Sequence, residues 1–332
     1  MRILLLPVIT LTASFAASGV VAQECGNVII AEMNWASSEM MANVDKLILE
    51  SGYGCNVELI LGATSSTFAS MNEKGTPDIA PELWINELGE PLRIAQAEGR
   101  LVTANAGPIT GLGEGWWISP VTLAKYPELQ TVMDVIERPD LFPSAEDPSK
   151  GGIVGCPAGW GCQNINVNLF EAFDMAEKGW VLIDPGSAAG LDGSISKANE
   201  RGDNWFGYYW APTAMVGRYD LQLLPFGVEF AGFDNWNTCI AVENCVDPLP
   251  TAWSESEVNT VVTKSFMETG GPAIDYIGKR VFPGDVMNSM LVYMADNQAA
   301  GEDAAIEFLQ KYEDIWSAWV SEEAAARIKA DL

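Results

Sequence analysis

Short apolar runs alternating with helix-length stretches constrain this chain most. Residues 28–33 read as a strand and 36–51 as a helix, which Ser37 or Ser38 can cap and Gly52 can end. Residues 56–61 read as a second strand, Thr64 to Asn72 as a short helix, and Asp78 to Ala80 as a short third strand. That alternation predicts a parallel, doubly wound α/β sheet. Ligands of such sheets sit beyond the carboxyl ends of the strands. Trp35 follows the first strand and Trp84 the third, so both stand at the expected binding edge.

Farther along, Glu114 to Pro120 reads as a strand leaving the first lobe, and 138–152 as a loop rich in Pro, Asp, Ser and Gly. Ile165, Leu169, Phe173 and Ala176 recur at helical spacing, with Gly179 as the stop. Trp180 to Ile183 reads as a strand, 187–201 as a helix, Trp205 to Trp210 as an aromatic strand and Tyr219 to Phe226 as extended. The chain beyond Cys245 reads as mainly helical. Two α/β units with return crossings predict an interleaved two-lobe clamp. Lobe I is expected over 23–115 and 220–332, and lobe II over 116–219.

The chain opens with Met1 and Arg2, then runs apolar from Ile3 to Val21 apart from small hydroxyls, ending Val20-Val21-Ala22. This is the pattern of a secretory signal peptide over 1–22, so the mature protein is expected in the periplasm from about Gln23. The 45 acidic and 18 basic side chains give a net charge of −27. Such a field disfavours nucleic acid and anionic membranes, and it tolerates or mildly attracts cationic solutes. The 332 residues include no histidine. Ser-His-Asp and Cys-His catalysis and His-ligated zinc are thereby excluded. No cofactor and no metal are expected; Glu146 and Asp147 in the acidic loop leave a calcium site open, with solvated acids the simpler reading.

Export makes disulfides the default for the six cysteines. Fifteen pairings exist in principle. Cys156 with Cys162 and Cys239 with Cys245 share a short spacing, and Cys25 and Cys55 each precede a strand-like run. Residues 155–162 read Gly-Cys-Pro-Ala-Gly-Trp-Gly-Cys. A ring closed there would fix Trp160 and aim the N–H groups of Gly161 and Cys162 from the start of the next helix, where donors are unpaired. An aromatic face beside anion-seeking donors suits a small molecule cationic at one end and anionic at the other. A stapled surface loop would use the same residues.

Together these motifs resemble the substrate-binding proteins of ABC importers for glycine betaine and proline betaine, the ProX/OpuAC type. Gly155–Cys162 is similar to that family's Gly-Cys-x-Pro-Gly-Trp-Gly-Cys loop, with Pro157-Ala158 in place of x-Pro. Tyr209-Trp210-Ala211-Pro212 resembles its Trp-x-Pro segment, and Glu82-Leu83-Trp84 the segment carrying its first-lobe Trp. The resemblance runs loosely over the whole mature chain. It implies a type II periplasmic binding protein, two lobes closing on a ligand cleft across two crossover hinges. It implies a cage of Trp84, Trp160 and Trp210 around a methylated cation, with Gly161 and Cys162 holding the ligand's anionic end. Trp35 joins that set from its strand-end position. The implied partners are a small methylated solute and the permease and ATPase of an importer, with the protein acting as a monomer. Where family members place a histidine after Trp-x-Pro, this chain has Thr213. Glycine betaine, trimethylamine N-oxide, dimethylsulfoniopropionate and choline all stay open.

A secreted glycan-active enzyme would also use Trp platforms. It would need two carboxylates facing each other across a cleft, and Glu82 and Glu114 are candidates by position.

Overall fold

The computed structural model describes residues 26–332. Two five-stranded sheets carry the fold. The first holds β1 (Asn27–Met33), β2 (Asn56–Gly62), β3 (Ile79–Trp84) and β4 (Leu101–Asn105). The second holds β5 (Gly113–Ile118), β6 (Gly151–Val154), β7 (Trp180–Ile183), β8 (Phe206–Ala211) and β9 (Gln222–Leu223). The last strand, β10 (Val258–Thr263), returns to the first sheet.

The strand orders, β2-β1-β3-β10-β4 and β7-β6-β8-β5-β9, follow one plan. In each sheet the first three strands of the unit run parallel. A strand delivered by a crossing, β10 or β5, then inserts antiparallel beside the third. The chain therefore crosses between lobes twice, after β4 and before β10. The doubly wound expectation holds, with one antiparallel strand per sheet beside the expected parallel set.

Burial follows the layers. All six residues of β3 and of β10 are buried, as central strands covered on both faces require. The edge strand β2 mixes buried and exposed positions. The lobe change expected at 115/116 falls inside β5, and the return expected at 220 precedes β9, which pairs with β5. Strands of the second sheet thus run from Gly113 to Leu223.

Several local expectations need correction. The first helix spans Ala36–Leu47 and continues as a π turn over Ile48–Gly52. Neither Ser37 nor Ser38 caps it: Trp35 stands at the cap position and the Ser37 hydroxyl is spent on Glu82. The helix after Trp160 spans Cys162–Ala172 and stops before Phe173, because Asp174 turns left-handed at φ 52°. β6 begins inside the stretch read as a loop, at Gly151, and β10 lies in the stretch read as mainly helical.

Cys156 pairs with Cys162 and Cys239 with Cys245. Cys55 is also disulfide-bonded; Cys25, its expected partner, lies outside the described residues, as does the expected signal peptide at 1–22. Among the described residues, no helix is long and apolar enough to cross a membrane. The Asp147 carboxylate accepts the Ser149 N–H and hydroxyl. It belongs to no converging group of three or more metal-binding side chains among the described residues.

Candidate ligand site between the lobes

Four tryptophans meet where the parallel strands end. Trp35 sits two residues beyond β1, Trp84 closes β3, and Trp210 is the next-to-last residue of β8. Trp160 hangs in the disulfide loop that follows β6. All four are buried.

Glu82, on β3, fixes two of them by their polar ends. Its Oε1 accepts the indole N–H of Trp35 at 2.8 Å and of Trp84 at 3.0 Å, and the Ser37 hydroxyl at 3.0 Å. With the N–H groups engaged, the ring faces are left for other contacts. Burial pushes the Glu82 carboxyl up to about 7, against the pull of those three donors and of Arg280. Its Oε2 is buried without a hydrogen-bond partner.

Trp160 reaches across the cleft, donating its indole N–H to Asn34 Oδ1 at 2.8 Å. Its ring stands 5.3 Å from Trp35 at 69° and 5.0 Å from Trp210 at 82°. Near-perpendicular rings form the corners of a box. Tyr208 stacks on Trp210 at 6.3 Å and 22°. Trp35, Thr64, Trp84, Glu87, Trp160, Tyr208 and Trp210 together line a small cavity of about 10 Å³. That is room for about one water molecule, so the box stands nearly shut and its rings must part to admit a solute. A wider groove of about 950 Å³ along the crossings opens to solvent and is bounded by none of these four tryptophans.

Gly161 and Cys162 lie at the start of the helix Cys162–Ala172, as expected, but their surroundings differ from the expectation. The Cys162 N–H faces the Glu87 side chain and acts to lower its carboxyl. A Cβ on Gly161 would come within 2.4 Å of the Glu87 Cβ, so the close approach of the lobes needs glycine there. A carboxyl group of the protein itself therefore occupies the place expected for the ligand's anion.

A carboxyl oxygen of Glu87 also comes within 4.8 Å of one of Glu114 on β5. Glu114 Oε1 accepts the Tyr208 hydroxyl at 2.9 Å, and its Oε2 accepts Asn86 Nδ2 at 2.9 Å and Trp253 Nε1 at 3.1 Å. Burial, then the Glu114 charge, raises the Glu87 carboxyl well above its usual range, with the Cys162 N–H and Thr64 opposing. Burial and the two carboxylates likewise push the Tyr208 phenol far up, so it stays neutral. Carboxyl oxygens of Glu87 and Glu114 converge with Cys162 Sγ within 4.8 Å, but that sulfur is spent in the disulfide and offers no thiolate to a metal.

Thr213 caps the helix Ala214–Tyr219 by accepting the Val216 N–H at 3.2 Å, and is not part of the cavity wall. Tyr208 was legible in principle: two residues before Trp210 on one strand, it shares that residue's face. Glu87, on the 3₁₀ turn Ile85–Glu87, carries no such periodic signal.

The family model for the substrate-binding domain of ABC-type glycine betaine transport systems matches residues 26–311. The chain belongs to the OpuAC family. Three solved structures share this OpuAC fold. An ABC-transporter choline-binding protein in complex with choline has a TM-score of 0.73 at 16% identity, covering 92% of this chain and 98% of that one. The glycine betaine/L-proline-binding protein ProX of Borrelia burgdorferi has a TM-score of 0.71 at 16% identity, covering 91% and 99%. Lactococcal OpuAC in its closed conformation with glycine betaine has a TM-score of 0.66 at 17% identity, covering 89% and 99%. No curated protein matches the sequence. The type II binding-protein fold implied by the motifs is thus the fold of this chain.

Proposed function

We propose that this OpuAC-family protein is the periplasmic solute receptor of an ABC importer and binds one small, fully methylated onium solute between its lobes. The observation that carries the reading is the convergence of Trp35, Trp84, Trp160 and Trp210 on one small cavity. A quaternary ammonium or sulfonium has no N–H to donate, so polar side chains gain little from it. Indole faces offer apolar contact and negative potential together, about 0.5–2 kcal/mol per face.

The Glu87 carboxyl on the wall narrows the class. With Glu87 set against Gly161 and the Cys162 N–H, a ligand carboxylate there would meet a carboxyl group. This favours an onium ending in a hydroxyl or an oxide, choline or trimethylamine N-oxide, over glycine betaine or dimethylsulfoniopropionate. A role for the permease and ATPase as partners, and action as a monomer, complete the proposal.

Hydrolysis of a glycan is disfavoured. Paired catalytic carboxylates stand about 5 Å or more apart to admit the sugar. Here Glu114 is engaged by Tyr208, Asn86 and Trp253 with Glu87 within 4.8 Å, and Glu82 is sequestered by two indoles.

A panel of the four onium solutes, a sugar and a primary amine, read by tryptophan fluorescence and native mass spectrometry, tests the reading. One unchanged onium molecule should be retained per chain. Trp84→Ala, Trp160→Ala or Trp210→Ala should each weaken binding by roughly one to two decades, and Trp160→Ala most. Trp205, which does not line the cavity and donates to Ser194 at 2.9 Å, should matter less. Preference for the sugar or the amine, or turnover of the solute, would refute it.

A further inference from the structure

Glu87 and Glu114 reach each other from opposite lobes, one from the turn after β3 and one from β5. Both side chains are buried. Their carboxyl oxygens converge within 4.8 Å, and because an ionised carboxylate can only accept hydrogen bonds, two carboxyl groups can bond to each other only when one carries a proton. We propose that closing the lobes takes up one proton, held between Glu87 and Glu114, and that this proton is part of the solute site.

The neighbours support this from every side. The Glu87 group faces Thr64, the Cys162 N–H, Glu114 and the Tyr208 ring system. The Glu114 group faces Tyr208, Asn86, Trp253 and Glu87. No lysine or arginine is among these described contacts, so no side-chain cation balances the second negative charge. Two like charges buried in contact cannot both persist without one. With one proton the pair carries a single negative charge beside the cage, which one onium cation neutralises. In an open cleft water separates and solvates the two groups, and the Glu87 carboxyl returns toward its ordinary range. Closure above neutral pH must then draw a proton from solvent. The Glu87 O–H donates to Glu114, and no other bond changes.

Infrared spectra of the protein, alone and with saturating choline, read the proton without assuming that choline is the ligand. At pH 7 a protonated-carboxyl stretch should be present in at least one state. Either Glu87→Gln or Glu114→Gln should remove it, because the amide supplies the hydrogen bond the proton made. Glu82→Gln identifies the separate signal of Glu82. Calorimetry with choline in buffers of different ionisation enthalpy forms a second arm, which rests on the onium reading. At pH 8 to 9 wild type should take up close to one proton, and its Kd should weaken toward tenfold per pH unit. Glu87→Gln should take up none. The proposal is overturned if no band sensitive to these two substitutions appears in either state, or if choline binds at pH 8 to 9 without proton uptake. Failure of choline to bind would count against the onium reading alone, while the spectra still decide the proton.

Discussion

Glu82 shows how one atom can set the shape of a site. Its Oε1 holds the N–H ends of Trp35 and Trp84 together, at the cost of burying an acid. The carboxyl is raised from 4.5 to about 7, so the folded state binds its proton more tightly than the unfolded state. The stability this confers is complete below the ordinary carboxylate range and is lost as pH rises toward 7. In Glu82→Gln that dependence disappears while an oxygen still accepts from the indoles. Thermal unfolding from pH 4.5 to 7.5 should therefore find the variant gaining on wild type with pH, by up to about 3 kcal/mol. A constant difference would contradict it. Gly161 acts at the same scale. Its backbone is helical at φ −64°, so alanine is locally acceptable, and the clash arises only against Glu87 of the other lobe. Gly161→Ala should weaken solute binding more than tenfold while the ligand-free Tm stays within about 2 °C of wild type. Titration calorimetry and melting curves together check both halves.

Among the elements, the loop closed by Cys156 and Cys162 joins β6 to the helix Cys162–Ala172 and carries Trp160. With Cα atoms 5.8 Å apart, the bond holds the loop to the first turn of that helix. Replacing both cysteines by serine frees Trp160 to sample positions away from Asn34 and Trp210. Affinity should fall about tenfold, from the loss of one cage face and of the fixed backbone beside Glu87. Unchanged affinity in that double variant would sink the assignment. Elements were legible in the sequence where period and punctuation agree. Trp180–Ile183 is a short apolar run between glycine and proline, and it is β7 as expected. The run Val258–Thr263 is β-branched at five of its six positions, yet it lies between helical tracts and inserts in the middle of the first sheet. Its place depends on β3 and β4, more than a hundred residues earlier, which no local pattern encodes. The cage indoles were legible because strand ends and a cysteine loop mark them. Glu87 was not, because its role arises from contact with Glu114 across the cleft.

For the whole molecule, the contacts between the lobes give closure its energy. Asn34 with Trp160, the Ser65 N–H with the Gly159 carbonyl at 3.4 Å, Asn86 with Glu114 and the exposed Arg218–Asp296 pair all join one lobe to the other. The exposed ion pair contributes little, within roughly 1 kcal/mol. On the proposed reading the buried tryptophans and a solute between them carry the rest, which would tie closure to the solute's methyl groups. Calorimetry on wild type with choline and with its analogues bearing two, one and no N-methyl groups isolates that dependence, since all are cations of one charge at pH 7. The primary amine should bind at least about a hundredfold more weakly than choline, because its N–H donors go unsatisfied among indole faces and it leaves the box partly empty. Equal affinity along the series would contradict the cage.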